Sequence, residues 1–263
     1  MNRTSLALSM TLIVAAAVPA ARAVDLGVQD QISDPDMLSE VQKVQEDNLD
    51  NALSRGRKDA EQSAGHLATL MAAAEAGIRE ALVELRAAVP ETAEPEPGSL
   101  EEAADDLLLS AQMLEAKARD FRQRASTASL RLPTADPEAL MGLRAGYRDR
   151  DRERDLRRAR LYLKKARKKT GSVQLDEEQI AVASASQSFL GEFTNAHLVL
   201  KEMGKKLWVK RKERDGFGEA ARRIEARTKR MEDDIAALST ESRLLEISFA
   251  LMRHDEEAFD LVE

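Results

Sequence analysis

The chain is predicted to be all-α: an elongated antiparallel helical bundle, or coiled coil, of four or five long helices. Three observations in its 263 residues lead there. Apolar side chains return at alternating steps of three and four residues, the spacing that keeps them on one helical stripe. Prolines and capping signals punctuate these stretches at their ends. Only 3% of the residues are aromatic while 33% are charged, which suits thin seams better than a wide core.

Residues 1–23 read as an export signal. Arg3 supplies the positive start, Ser5 to Ala20 the apolar run, and Ala21-Arg22-Ala23 the small residues that signal peptidase reads. The run is short of the roughly 20 apolar residues that cross a bilayer, so cleavage after Ala23 is expected, with no transmembrane segment after processing. Residues 24–34 are a short N-terminal extension. Residues 35–263 are expected to form one elongated helical coiled-coil domain.

Asp34-Pro35 opens the first helix (about 35–89), with an N-cap followed by a proline where no N–H is needed. Its seam is strong at Leu67, Met71, Ala74, Ile78, Ala81 and Leu85 and weaker earlier, around Gly56 and Gly65. Pro90 ends it, and an acidic, proline-rich linker runs from Glu91 to Gly98. Ser99 with Glu102 forms a capping box for the second helix (99–132). There Leu100, Ala104, Leu107, Ala111, Leu114, Ala118, Phe121, Ala125, Ala128 and Leu132 follow the three-four spacing without exception. Small residues on that stripe let a partner helix approach closely.

Asp136-Pro137 starts the third helix (137–170), whose last turns carry Lys164, Lys165, Arg167, Lys168 and Lys169 against the negative end of the helix dipole. Asp176 with Gln179 starts the final stretch (helices about 176–215 and 217–262). One register there runs from Val182 to Phe259, with 17 of its 23 positions apolar. Asp215-Gly216-Phe217-Gly218 either separates two helices or kinks one rod of roughly 120 Å. The unbroken register favours the kinked rod. Short linkers make successive helices antiparallel.

Charge is unevenly spread. Residues 24–100 hold 16 acidic and 6 basic side chains, whereas 137–170 hold 5 and 13, and 201–230 hold 5 and 12. Folding back at Gly171 would set Arg144–Arg150 beside Ala196–Glu202 and bring the two basic blocks together. Arg157, Arg158, Lys164, Lys165, Lys168, Lys169, Lys210, Arg211 and Lys212 are the candidate residues for an anionic partner. Arg148 to Asp155 contains no apolar residue and reads as a solvated section or a place where the rod opens. Gly142 and Gly146 form a small-xxx-small pair on its flank.

Several chemistries find no support. There is no cysteine, hence no disulfide and no thiolate. His66, His197 and His254 are scattered, and His254 with Glu257 makes a poor metal site. Asp105-Asp106 and Glu232-Asp233-Asp234 read as surface pairs away from the seam. Phosphate loops, nucleophile elbows and calcium loops are absent, so no catalytic residue, cofactor or metal is assigned. Tyr147, Tyr162 and Trp208 read as seam-edge packing.

Export, the long register and the lack of a reactive motif point to a non-enzymatic coiled-coil interaction protein: a scaffold, spacer or adaptor of the bacterial envelope, periplasmic or extracellular. It would act through protein partners and self-association. Two alternatives are a periplasmic holdase-type chaperone and a binder of an anionic envelope surface through blocks 137–170 and 201–230. Nucleic acid is not expected, because stacking aromatics are scarce and export separates the chain from it.

Overall fold

The structure, a computed structural model, describes residues 35–89, 99–132, 137–148, 150–170 and 174–260; the side chains at 35–42, 137–139, 169–170 and 257–260 are outside that description. The expected signal (1–23), the extension (24–34) and the linkers at 90–98, 133–136 and 171–173 fall outside the described residues. Among those described, all regular structure is helical: α1 (Pro35–Ala88), α2 (Leu100–Thr127), α3 (Pro137–Arg148), α4 (Asp151–Thr170), α5 (Glu177–Val209) and α6 (Phe217–Asp260).

The chain divides into two units. One comprises the residues through Arg55 together with Asp255–Glu263. Its described side chains from Lys43 to Arg55 include no buried one, and the amide of Asn51 donates to the Asp47 carbonyl at 2.7 Å, a bond within one helical turn.

The other unit, Gly56–His254, holds the core. Four helices line it, each antiparallel to the next. Arg79 meets Glu115 and Arg57 reaches the Ser129 carbonyl, so α1 and α2 run in opposite directions. Lys117 of α2 donates to Ser188 of α5. Ser186 and Lys201 of α5 meet Ser242 and Glu232 of α6. Arg227 of α6 clasps Glu80 and Glu84 of α1. Between them lies one apolar core with Phe121, Phe189, Phe193 and Phe249 at its centre. Fully burying such a side chain stabilises the fold by about 1.5–3 kcal/mol.

The three-four stripes are the buried faces. Leu100 through Ala125 on α2 and Val182 through Leu207 on α5 are buried at the spaced positions. Three polar positions in the last register, Ser186, Thr228 and Ser242, are buried too, whereas Lys210 and Arg214 are exposed. Ser186 and Ser242 lie 2.7 Å apart, hydroxyl to hydroxyl, and Gln187 donates to Ser242 at 2.9 Å.

Three expectations about elements need correction. The helix expected over 99–132 ends at Thr127, not at Pro133. Ser129 takes a left-handed conformation (φ 57°), and the N–H groups of Ser129 and Leu130 return to Ser126 and Ala125, a Schellman cap with Leu130 buried. The expected single helix over 137–170 is two, separated at 149–150, where Arg150 has φ 57°. The kinked rod is a hairpin: α5 ends at Val209, residues 210–216 turn with Gly216 at φ 96°, and α6 returns along α5. A stripe keeps its register through a reversal, because each arm still needs one apolar face; periodicity does not say which helix that face meets.

α3 and α4 pack outside the four-helix core and run parallel to α6. Leu156, Ala159 and Leu163 make a satellite cluster with Leu244, Ile247 and Ala250 of α6.

Candidate functional site

Two sites stand out, one inside the molecule and one on its surface. The inner one centres on Glu241, whose side chain has 0% exposure on α6. Arg152 of α4 donates from Nε to Oε1 at 2.8 Å and from Nη2 to Oε2 at 3.0 Å, a fork matched to a carboxylate. Tyr147 of α3 donates its hydroxyl to the same Oε1. His66 of α1 places Nδ1 at 3.3 Å from Oε1. The carboxylate only accepts, so Nδ1 carries the hydrogen facing it. Arg152 Nη2, 3.4 Å from that nitrogen, is then a neighbour and not its donor.

The break at 149–150 makes this convergence possible. In a continuous helix, residues five apart point about 140° away from each other, and Tyr147 and Arg152 could not share one oxygen. The left-handed Arg150 costs about 1–2 kcal/mol, which the shared carboxylate offsets.

Charge follows from the geometry. Burial by itself would raise the Glu241 pKa, but the His66 hydrogen bond, the Arg152 charge and the Tyr147 hydroxyl outweigh it, so the carboxyl titrates below its ordinary value. Burial, then the Glu241 charge, push the Tyr147 phenol upward. Burial alone would loosen the Arg152 proton, yet Glu241 more than reverses that. A phenol moved away from ionisation is the opposite of an activated base. The constellation clamps α3 and α4 onto α6 and α1.

A second clamp lies further along α3. Arg144 holds Asp234 through two hydrogen bonds of 3.0 and 2.9 Å. Burial dominates at Asp234 and lifts its pKa despite that partner. Asp234, expected on the surface, is instead held in a cross-helix ion pair. In the section read as solvated or as an opening of the rod, the helix does break, and Arg148, Arg150, Asp151, Glu153 and Arg154 are exposed. Arg152, however, is drawn into a cross-helix ion pair.

The surface site is the outer face of α4. Arg157, Arg158, Lys164, Lys165 and Lys168 are all exposed there, while the side chain of Lys169 lies outside the described residues. Lys164 and Lys168, with Arg160, Arg167 and Arg243 and one carboxylate, Glu246, rim a groove floored by Leu163 and Ile247. Arg157 has Glu153 at 3.8 Å. Arg158, Arg160, Lys164, Lys165, Arg167 and Lys168 make no ion pair among the described residues.

Lys210, Arg211 and Lys212 are not brought to this face, although Arg144 and Lys201 of the two basic blocks reach neighbouring carboxylates of α6, Asp234 and Glu232. Lys210 to Lys212 sit on the α5–α6 turn, and roughly thirty residues of α6, ~45 Å, separate that turn from the groove at Ile247. Trp208 is not seam-edge packing but 44% exposed beside the turn. Among the described residues no three metal-ligating side chains gather, and no helix is long and apolar enough to cross a membrane.

Sequence reasoning missed Glu241. The available signals were its place beside the buried seam position Ser242 and the segment Arg148 to Asp155, which has no apolar residue and needs a polar counterpart. Set against protein-family models, curated proteins and solved structures, the chain matches none of them.

Proposed function

We propose that this chain is an exported, non-enzymatic interaction protein, a scaffold, spacer or adaptor of the bacterial envelope. In this reading it is a coiled-coil bundle that works through protein partners and through copies of itself. Buried positions recurring every three and four residues on α2, α5 and α6 support the coiled-coil character. Export rests on the residues 1–23 described above.

One observation carries the reading. Interior charges are satisfied across helices, at Glu241 and Asp234, while α4 turns a row of cations with no ion pair among the described residues toward solvent. Cations in such a row repel one another, and an acidic partner relieves that repulsion. Chemical cross-linking in the envelope, followed by copurification and mass determination, tests it. The expected result is a self-associated or partner-bound species that is lost when Arg158, Lys164, Lys165 and Lys168 become glutamate. A monomer retaining no partner would refute the interaction reading.

A second reading, binding to an acidic envelope polymer, is favoured by the apolar floor and basic rim of the α4 groove. Binding of a soluble polyanion should then collapse between about 0.1 and about 1 M salt, as the screening length falls from about 10 to about 3 Å.

A further inference from the structure

The turn between α5 and α6 combines two features found together nowhere else among the described residues: a cluster of cations and a pair of exposed large apolar side chains in sequence. Trp208 is 44% and Val209 76% exposed at the end of α5. They are followed at once by Lys210, Arg211 and Lys212, with Arg214 two residues on, all exposed. We propose that this turn is a membrane-surface anchor, which lays Trp208 and Val209 into the headgroup region of an anionic lipid bilayer while its cations meet the lipid charges.

The local chemistry fits that occupant. Tryptophan prefers the boundary between headgroups and acyl chains, with its ring against apolar matter and its N–H toward water. The Arg211 guanidinium lies 4.7 Å from the Trp208 ring and donates to the Trp208 carbonyl at 2.8 Å, so one positive charge already accompanies the ring. Arg214 lies over Phe217 at 5.8 Å. Carboxylates answer only part of the charge: Glu202 takes Lys205 at 3.1 Å, and Glu213 stands 4.0 Å from Lys210. Lys212 makes no ion pair among the described residues. An acidic protein face would satisfy these cations but would leave Trp208 and Val209 without an apolar medium. The anchor is distinct from the α4 groove and does not depend on it.

Trp208 is the one tryptophan of the chain, so its emission reports on this turn alone. The full chain is titrated with vesicles of phosphatidylglycerol and phosphatidylcholine, and with pure phosphatidylcholine. The expected result is a blue-shifted emission on the anionic vesicles, quenching by brominated lipid, and little change on the neutral ones. Each cation removed should weaken binding about fivefold, so Lys210→Glu, Arg211→Glu and Lys212→Glu together should abolish the shift. Val209→Asp should reduce it, and circular dichroism should confirm that both variants stay helical. Charge reversal on α4 should leave the shift in place.

Sedimentation with vesicles without an emission change would show that another segment binds and would overturn the proposal. An equal shift on neutral vesicles, a shift that survives the triple reversal, or an equal shift with soluble polyglutamate would also overturn it.

Discussion

Replacing Arg152 by alanine is the sharpest test of the inner constellation. The change removes the fork on Glu241 and leaves a carboxylate with no exposed surface facing only Tyr147 and His66. Removing one partner of a buried pair costs about 3–5 kcal/mol. Arg152 keeps 19% of its side chain in water, so the lower end, about 3 kcal/mol, is expected. With a urea dependence of about 2 kcal/mol per molar, the unfolding midpoint should fall by about 1.5 M.

The pH dependence carries more information than the size. In the intact protein the Glu241 pKa lies below its ordinary value, so its contribution is present above about pH 4.3 and is lost as the pH falls through the folded-state value. Without Arg152 burial dominates and the folded-state pKa rises above the ordinary one. The variant then loses stability as the pH climbs from about 4.3 toward that raised value. Its deficit against the parent should therefore widen from about pH 5 to about pH 7. Urea unfolding followed by far-ultraviolet circular dichroism over that range measures it. A deficit below about 1 kcal/mol, or one flat with pH, would refute the buried-pair account. Arg152→Met combined with Glu241→Gln should recover most of the loss.

Further expectations concern packing and titration. Phe189→Ala, in the middle of the core, should cost about 3–5 kcal/mol, whereas Val83→Ala on the outer face of α1 should stay within about 0.5 kcal/mol; similar midpoints for the two would contradict the assigned core. A β-carbon at Gly56 would run into Cγ of Met252, so Gly56→Ala should destabilise by about 1–3 kcal/mol less the roughly 1 kcal/mol gained in helix propensity. In a Met252→Ala background the same change should become stabilising, and a loss persisting there would rule out the clash. Burial holds the His197 pKa below its ordinary value against the pull of Glu232, so stability should decline as the pH drops below about 6.5. His197→Leu should flatten that decline, which chemical denaturation at stepped pH would show.

How much of this was legible beforehand depended on the range of the interaction. The stripes on α2, α5 and α6 are local, and every position from Leu100 to Ala125 and from Val182 to Leu207 on them is buried. The reversal at 210–216 was marked by Gly216 and Gly218, but a continuing register masked it. The break at 149–150 was marked only by the lack of apolar residues from Arg148 to Asp155, which does not separate a solvated helix from an opening; what fixes it is Glu241, nearly ninety residues from Arg152. Asp234 misled for the same cause: an acidic triplet looks solvated until Arg144 arrives from another helix. Of the cationic residues singled out, those on α4 share a face, whereas Lys210 to Lys212 belong to a different end of the unit.

The hydroxyl pair of Ser186 and Ser242 has a consequence for assembly fidelity. Two arms with near-identical greasy repeats could slide past each other by seven residues at small cost, like misaligned teeth of a zipper. Such a slide would press Ser186 against Ile235 or Phe249 and strand its hydroxyl. The pair thus acts as an alignment pin, trading some cohesion for a single mating of the arms. With both serines changed to alanine, spin-label distances between α5 and α6 should split into two populations; one sharp distance would remove the pin.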